Sequence, residues 1–179
     1  MPTNKEIFGK YINPVFIETG TNSGDGVQAA LDAGFKTIYS IELSPRKYNY
    51  CVERFRDNPN VHLIWGDSAV ELGKLLEERI AEPATFWLDG HLLDEDYEKG
   101  ILYSPVLREL EAIARHPIKT HTILIDDLRI WTIDQFGFDK QMLMDKIRSI
   151  NPRYEFTFED GQLGDWLPFK NDILVAQCL

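Results

Sequence analysis

Long apolar runs are missing from this chain: none approaches the ~20 residues a membrane span requires, so a membrane-embedded role is not expected. The opening residues Met1-Pro2-Thr3-Asn4-Lys5-Glu6 are polar and hold no signal-peptide apolar core, which makes the cytoplasm the expected location. Cysteine is scarce. Cys51 and Cys178 lack metal-site spacing and read as buried or half-buried free thiols, in keeping with a reducing compartment. Positive charge is short as well, with 19 Lys and Arg against 29 Asp and Glu and a net charge of −10. Nucleic acids and anionic membranes are held by neutralising phosphates, so neither is an expected partner. A divalent cation, a cationic ligand or a neutral small molecule suits this composition better. Low-complexity segments and internal repeats are absent too. What remains is the composition of a packed domain: 179 residues, 44% hydrophobic and 12% aromatic, enough for one domain over 1–179 with a sizeable core.

Strand-like runs at 15–19, 37–42, 61–66, 85–89 and 122–126 alternate with helical patterns at 26–33, 45–56, 69–80, 105–116 and 140–150. Ser44 before Pro45 reads as an N-cap followed by proline at the first helical position, and Gly34 stops the first helix. This alternation predicts an α/β fold: a doubly wound, mostly parallel seven-stranded sheet with helices on both faces. Two further strand patterns, 154–158 and 173–177, have no helix between them and predict a C-terminal antiparallel hairpin, joined by a loop with Gly161, Gly164 and Pro168. Such sheets bind ligands at the carboxyl ends of their strands, near the switch in strand order. At those ends the sequence is acidic throughout: Glu18, Glu42, Asp67, Asp89 and the pair Asp126-Asp127. A lone acid at a strand end is commonly a turn or a helix cap. A whole row at one edge points to a ligand.

Glu18 closes the first strand before Gly20-Thr21-Asn22-Ser23-Gly24, a glycine-rich turn that opens into a helix N-terminus. A carboxylate there disfavours a pyrophosphate and favours a cationic group. The dinucleotide fingerprint Gly-x-Gly-x-x-Gly is not met, because Asn22 stands two residues after Gly20. Glu42, acceptor-only, suits the two hydroxyls of a ribose. Glu18-x-Gly20-x-x-x-Gly24, followed by Glu42 and by Gly66-Asp67-Ser68, resembles the cofactor motifs of class I S-adenosylmethionine-dependent methyltransferases. The resemblance covers essentially the whole chain. It implies S-adenosylmethionine as cofactor, contacted by Glu18, Gly20, Thr21, Asn22, Ser23, Gly24, Glu42, Leu43, Asp67, Ser68 and Asp89. Asp67 would reach the adenine amine, cap the following helix, or do both.

Asp89-Gly90-His91 follows the fourth strand and Asp126-Asp127 the fifth. Neighbouring parallel strands lie ~4.8 Å apart, so these acids converge on one ion, and a hard divalent cation such as Mg²⁺ would relieve their repulsion. The pairing resembles metal-dependent O-methyltransferases of the catechol and macrocin types, which implies Asp89, Asp126 and Asp127 as metal ligands and a substrate hydroxyl made acidic by the metal. Asp89-Gly90-His91 also resembles the metal-binding stretch of cephalosporin-hydroxylase-like relatives. The plainer alternative has Asp126-Asp127 capping the next connection and Asp89 touching cofactor only. His91 fits a general base, since an imidazole ordinarily titrates near ~6.5; Asp89 beside it is the other catalytic candidate. A loop histidine bonded to backbone is the ordinary alternative for His91. Lys99 is a weaker base, and His62, His116 and His121 carry no comparable signal.

Two departures limit the resemblance. Catechol-type enzymes carry a lysine three residues after the first metal aspartate, where this chain has Leu92. Only residues 4–11 are available for an N-terminal lid helix, so substrate enclosure is expected from 92–103, from 129–138 or from a second subunit of a homodimer. In 129–138, Trp131, Phe136 and Phe138 either line an acceptor pocket or cover a core edge. The Asp/Asn-Pro-Pro-aromatic turn of nucleic-acid amino-methyltransferases is not met by Asp89-Gly90-His91-Leu92. The expected activity is therefore metal-assisted O-methylation of a hydroxylated small molecule. The rivals are a cofactor-binding protein without transfer activity and a metal-dependent hydroxylase-like or hydrolytic enzyme on the same scaffold.

Overall fold

The computed structural model describes residues 5–91, 104–161 and 169–178; the 92–103 segment expected to enclose substrate, with Lys99, and the hairpin loop at 162–168 lie outside them. In chain order the first elements are α1 (Lys5–Lys10), β1 (Val15–Thr19), α2 (Asp25–Ala33), β2 (Ile38–Glu42), α3 (Pro45–Phe55), β3 (Val61–Trp65) and α4 (Ser68–Arg79). There follow β4 (Ala84–Leu88), α5 (Val106–Arg115), β5 (Thr122–Ile125), α6 (Ile133–Phe136), α7 (Lys140–Ile150), β6 (Tyr154–Gly161) and β7 (Phe169–Cys178).

The seven strands form one sheet in the order β3-β2-β1-β4-β5-β7-β6. The first five are parallel, and β7 pairs antiparallel with β5 and with β6. β1, β4 and β5 are buried along their full length, as continuous apolar runs at the centre of a doubly covered sheet must be. Successive side chains point to opposite faces. Ile17, Phe86, Leu88, Ile123 and Ile125 pack on the side of α4, α5 and α7, whereas Phe16, Trp87 and Leu124 pack on the side of α1, α2 and α3. The expected α/β architecture with its terminal hairpin is therefore the observed one. No helix among the described residues is long and apolar enough to cross a membrane.

Local chemistry sets the helix ends. Ser44 accepts from Lys47 N–H and Pro45 opens α3, while Gly34 closes α2 in the left-handed region. α1 is pinned against the sheet. Phe8 is buried with its ring 4.9 Å from Phe16 and 5.0 Å from Trp87. Asn13 donates to the hydroxyls of Thr85 and Thr122, near the amino ends of β4 and β5, the edge opposite the acidic row.

Candidate functional site

Sheet hydrogen bonds continue past the strand ends and string the acidic row along one edge. Gly66 N–H donates to the Glu42 carbonyl, Gly20 N–H to Ile41, Asp89 N–H to Thr19 and Asp126 N–H to Leu88. The strand order reverses between β1 and β4, and there the two loops touch: a Cβ on Gly20 would stand 2.3 Å from the Asp89 carbonyl oxygen. Gly20 also holds φ at +83°, so both its conformation and its neighbour exclude a side chain.

Side-chain parity sends Glu18 toward α2. Its carboxylate accepts from Ser40, the residue beside it in the β1–β2 register, at 2.6 Å. Ser40 has one O–H and spends it there, so Thr21 is the donor in the 2.6 Å Thr21–Ser40 bond. A Cβ on Gly26 would lie 1.8 Å from Glu18 Oε1, so the carboxyl occupies the space beside the first turn of α2. Burial pushes it up to about 8. Glu42 is anchored differently, accepting from Asn22 N–H at 2.7 Å and Ser44 N–H at 2.8 Å, one bond per oxygen. A carboxylate has about four acceptor positions, so roughly two remain for a diol. Gly24 stands at the N-cap of α2 with φ +86°, and Ser23 donates to Asp25, which Arg54 also binds. Leu43 projects into solvent beside Glu42, and its carbonyl accepts from Trp65 Nε1. Asp67 caps α4 through Ala69 N–H at 2.9 Å, and Ser68 is buried behind it.

At the other end of the row, donor atoms within 4.8 Å of one another form two groups among the described residues: Asp89, His91 and Asp127, and Asp126, Asp127 and Asp172. The expected trio of Asp89, Asp126 and Asp127 is thus divided between two groups that share Asp127. Burial, then repulsion from Asp126 and Asp127, pushes Asp89 well above the carboxylate range. Burial and Asp127 push Asp126 up to about 7. Asp127 behaves oppositely. Burial opposes ionisation there, but His91 Nε2 at 2.9 Å and Arg129 outweigh it and hold its carboxyl low. His91 faces Asp89 with its other nitrogen, and both side chains are about as buried as the core, 6% and 7% exposed.

Trp131 donates its indole N–H to the Asp126 carbonyl at 2.9 Å and meets the His91 ring edge-on at 5.4 Å. Trp131 and Phe138 are stacked and buried in the core cluster, with Phe136 against them. They cover a core edge and brace the acidic pair. Sequence reasoning missed Asp172, Arg129 and Glu109. Asp172 precedes the apolar run of β7, and because β7 runs antiparallel its first residues arrive at this same edge; Arg129 pairs with it and with Asp127. Glu109 is wholly buried on α5, and burial, opposed by the Ser68 and Thr19 hydroxyls beside it, pushes it up to about 7. It lies 3.2 Å from where a Gly90 Cβ would be, close to the Thr19 hydroxyl. Cys51 is an inert thiol, raised to about 11 by burial.

No family model matches the sequence, and no curated protein matches it. Solved structures do match. The O-methyltransferase from Bacillus cereus in complex with SAH (S-adenosylhomocysteine) aligns with a TM-score of 0.66 at 15% identity, over 98% of this chain and 78% of that one. A protein proposed to be an rRNA methylase, from Clostridium thermocellum, aligns at 0.64 and 10% identity over 98% and 95%. A proposed methyltransferase from Streptococcus mutans in complex with SAH aligns at 0.60 and 14% identity over 98% and 96%. At such identities the likeness is one of fold: this chain has the Rossmann-like α/β fold of the methyltransferases it resembles.

Proposed function

We propose that this protein is an S-adenosylmethionine-dependent methyltransferase that acts on a hydroxyl group of a small molecule, assisted by a divalent cation. Glu42 carries the cofactor half. It is a buried carboxylate at the end of β2, one strand from the switch in strand order, fixed by two loop N–H groups and left with acceptor capacity for a ribose diol. The Gly20 turn brings backbone, without a side chain, close to the same place. The donor chemistry of Asp89 fits a cation, since Asp126 and Asp127 repel its buried carboxylate without one. Structural neighbours in complex with SAH support the cofactor, and the net charge of −10 supports a small acceptor over a nucleic acid.

When bound, S-adenosylmethionine supplies an electrophilic methyl group and the cation supplies Lewis acidity that lowers a hydroxyl's pKa. Glu42 orients the nucleoside, Gly20 allows its close approach, and Asp89 would hold the cation at the end of β4, with Asp126 and Asp127 beside it. Trp131 and Phe138 close the floor against water. Catalysis then rests on positioning.

The test is SAH release from S-adenosylmethionine on a panel of sugar, phenol and polyketide hydroxyls, with divalent cation or with chelator. Glu42→Ala should lose SAH binding, while Asp126→Ala should keep it and lose transfer. Wild-type binding by Glu42→Ala would contradict the cofactor half; turnover indifferent to chelator would contradict the cation half.

A further inference from the structure

We propose that His91 is itself a metal ligand: it binds a divalent transition-metal ion through Nδ1, together with Asp89, while Asp127 holds the ring by its other nitrogen. This deepens the cation half of the proposed function and rests on it. His91 Nε2 stands 2.9 Å from Asp127 Oδ2, and Asp127 is also paired with Arg129. The proton of a neutral imidazole therefore belongs on Nε2, which leaves Nδ1 a bare lone pair. That atom is buried and has no hydrogen-bond partner. Asp89 Oδ1 faces it at 3.4 Å without forming a hydrogen bond. With Asp89 ionised the two atoms would oppose lone pair to lone pair in a dry pocket, and a cation between them removes that cost. The spacing fits, because two donors each ~2.1 Å from a tetrahedral ion stand ~3.4 Å apart.

The surroundings hold the ring where a ligand needs it. A metal-binding histidine characteristically donates its second N–H to a carboxylate, which fixes tautomer and orientation, and Asp127 occupies that position. Trp131 bounds the imidazole edge-on, with the planes at 85°. Asp126, foremost among the charges acting on Asp89, adds negative potential that favours a cation there. An imidazole nitrogen in the ligand set favours Mn²⁺, Fe²⁺, Co²⁺ or Zn²⁺ over Mg²⁺, which prefers oxygen.

The experiment is a Mn²⁺ titration of the metal-stripped full chain, by calorimetry and by pulsed electron paramagnetic resonance. The wild type should bind Mn²⁺ more tightly than Mg²⁺ and show ¹⁴N coupling from one imidazole. His91→Gln should lose that coupling and its Mn²⁺ preference, and Asp127→Asn should weaken Mn²⁺ ~10–100-fold with the coupling kept. A bound Mn²⁺ without nitrogen coupling, undiminished Mn²⁺ affinity in His91→Gln, or no Mn²⁺ binding at all would overturn the assignment. SAH binding by the same samples separates the two failures. SAH bound without a Mn²⁺ site refutes the ligand and leaves the cofactor half, whereas a nitrogen-coupled Mn²⁺ site without SAH binding does the reverse.

Discussion

At Gly20 the chain turns through a left-handed conformation while passing the Asp89 carbonyl so closely that a methyl group would stand 2.3 Å from it. Alanine there carries left-handed strain of ~1–2 kcal/mol, and relief of the clash means moving the backbone that aims Asp89. Gly20→Ala should therefore lower stability in urea by at least ~2 kcal/mol, and a loss under ~0.5 kcal/mol would show that the loops do not touch as described. Glu109 gives a second residue-scale expectation. Burial raises its folded pKa to about 7, so the native state holds its proton more tightly than the unfolded chain does. The stability this contributes is present below the ordinary carboxyl range and is lost as pH rises through about 7. Glu109→Gln should flatten the thermal midpoint between pH 4.5 and 7; parallel curves for variant and wild type would contradict it. Gly20, Glu42 and Asp89 were legible in the sequence because strand, acid and turn are adjacent there. Glu109 and Asp172 were not, since each reaches the edge from an element distant in sequence.

The elements position a different polar group at the opposite edge. His121 Nδ1 accepts from Ala84 N–H at 3.0 Å, so its proton sits on Nε2 and goes to His116 Nδ1, also at 3.0 Å. His116 Nε2–H then donates to the Ile80 carbonyl, completing a relay that joins the ends of α4 and α5 to β4. Protonating His121 would break the Ala84 bond in a buried place, and burial lowers its pKa to about 4. A depressed folded pKa means stability present above 6.5 and lost as pH falls toward 4, a contribution of up to ~3 kcal/mol. Nuclear magnetic resonance should find the His121 ring neutral at pH 5; a titration midpoint near 6.5 would refute the relay. The main strands and helices were readable from periodicity and caps, because runs such as 15–19 and 140–150 are bounded by their own turn chemistry. α6 was not, because four residues are too few to show a helical period.

At the scale of the whole molecule, a charge of −10 gathers part of its excess at one sheet edge, where buried acids stand side by side. Several of those carboxyls are raised by burial, so the free protein carries an unfavourable concentration of potential charge at neutral pH. Parallel order made this edge foreseeable from strand ends alone; the antiparallel return of β7, which adds Asp172 beneath Asp126 and Asp127, needed the folded chain. Cationic ligands are what such an edge takes up, and S-adenosylmethionine carries both an ammonium and a sulfonium. Its binding is the central claim, and calorimetric titration of the purified chain with S-adenosylhomocysteine tests it most directly. A single saturable site is expected, abolished in Glu42→Ala, with ~2.7 kcal/mol of added stability at 100 times the dissociation constant. The absence of heat, and of any thermal shift at millimolar ligand, would contradict it.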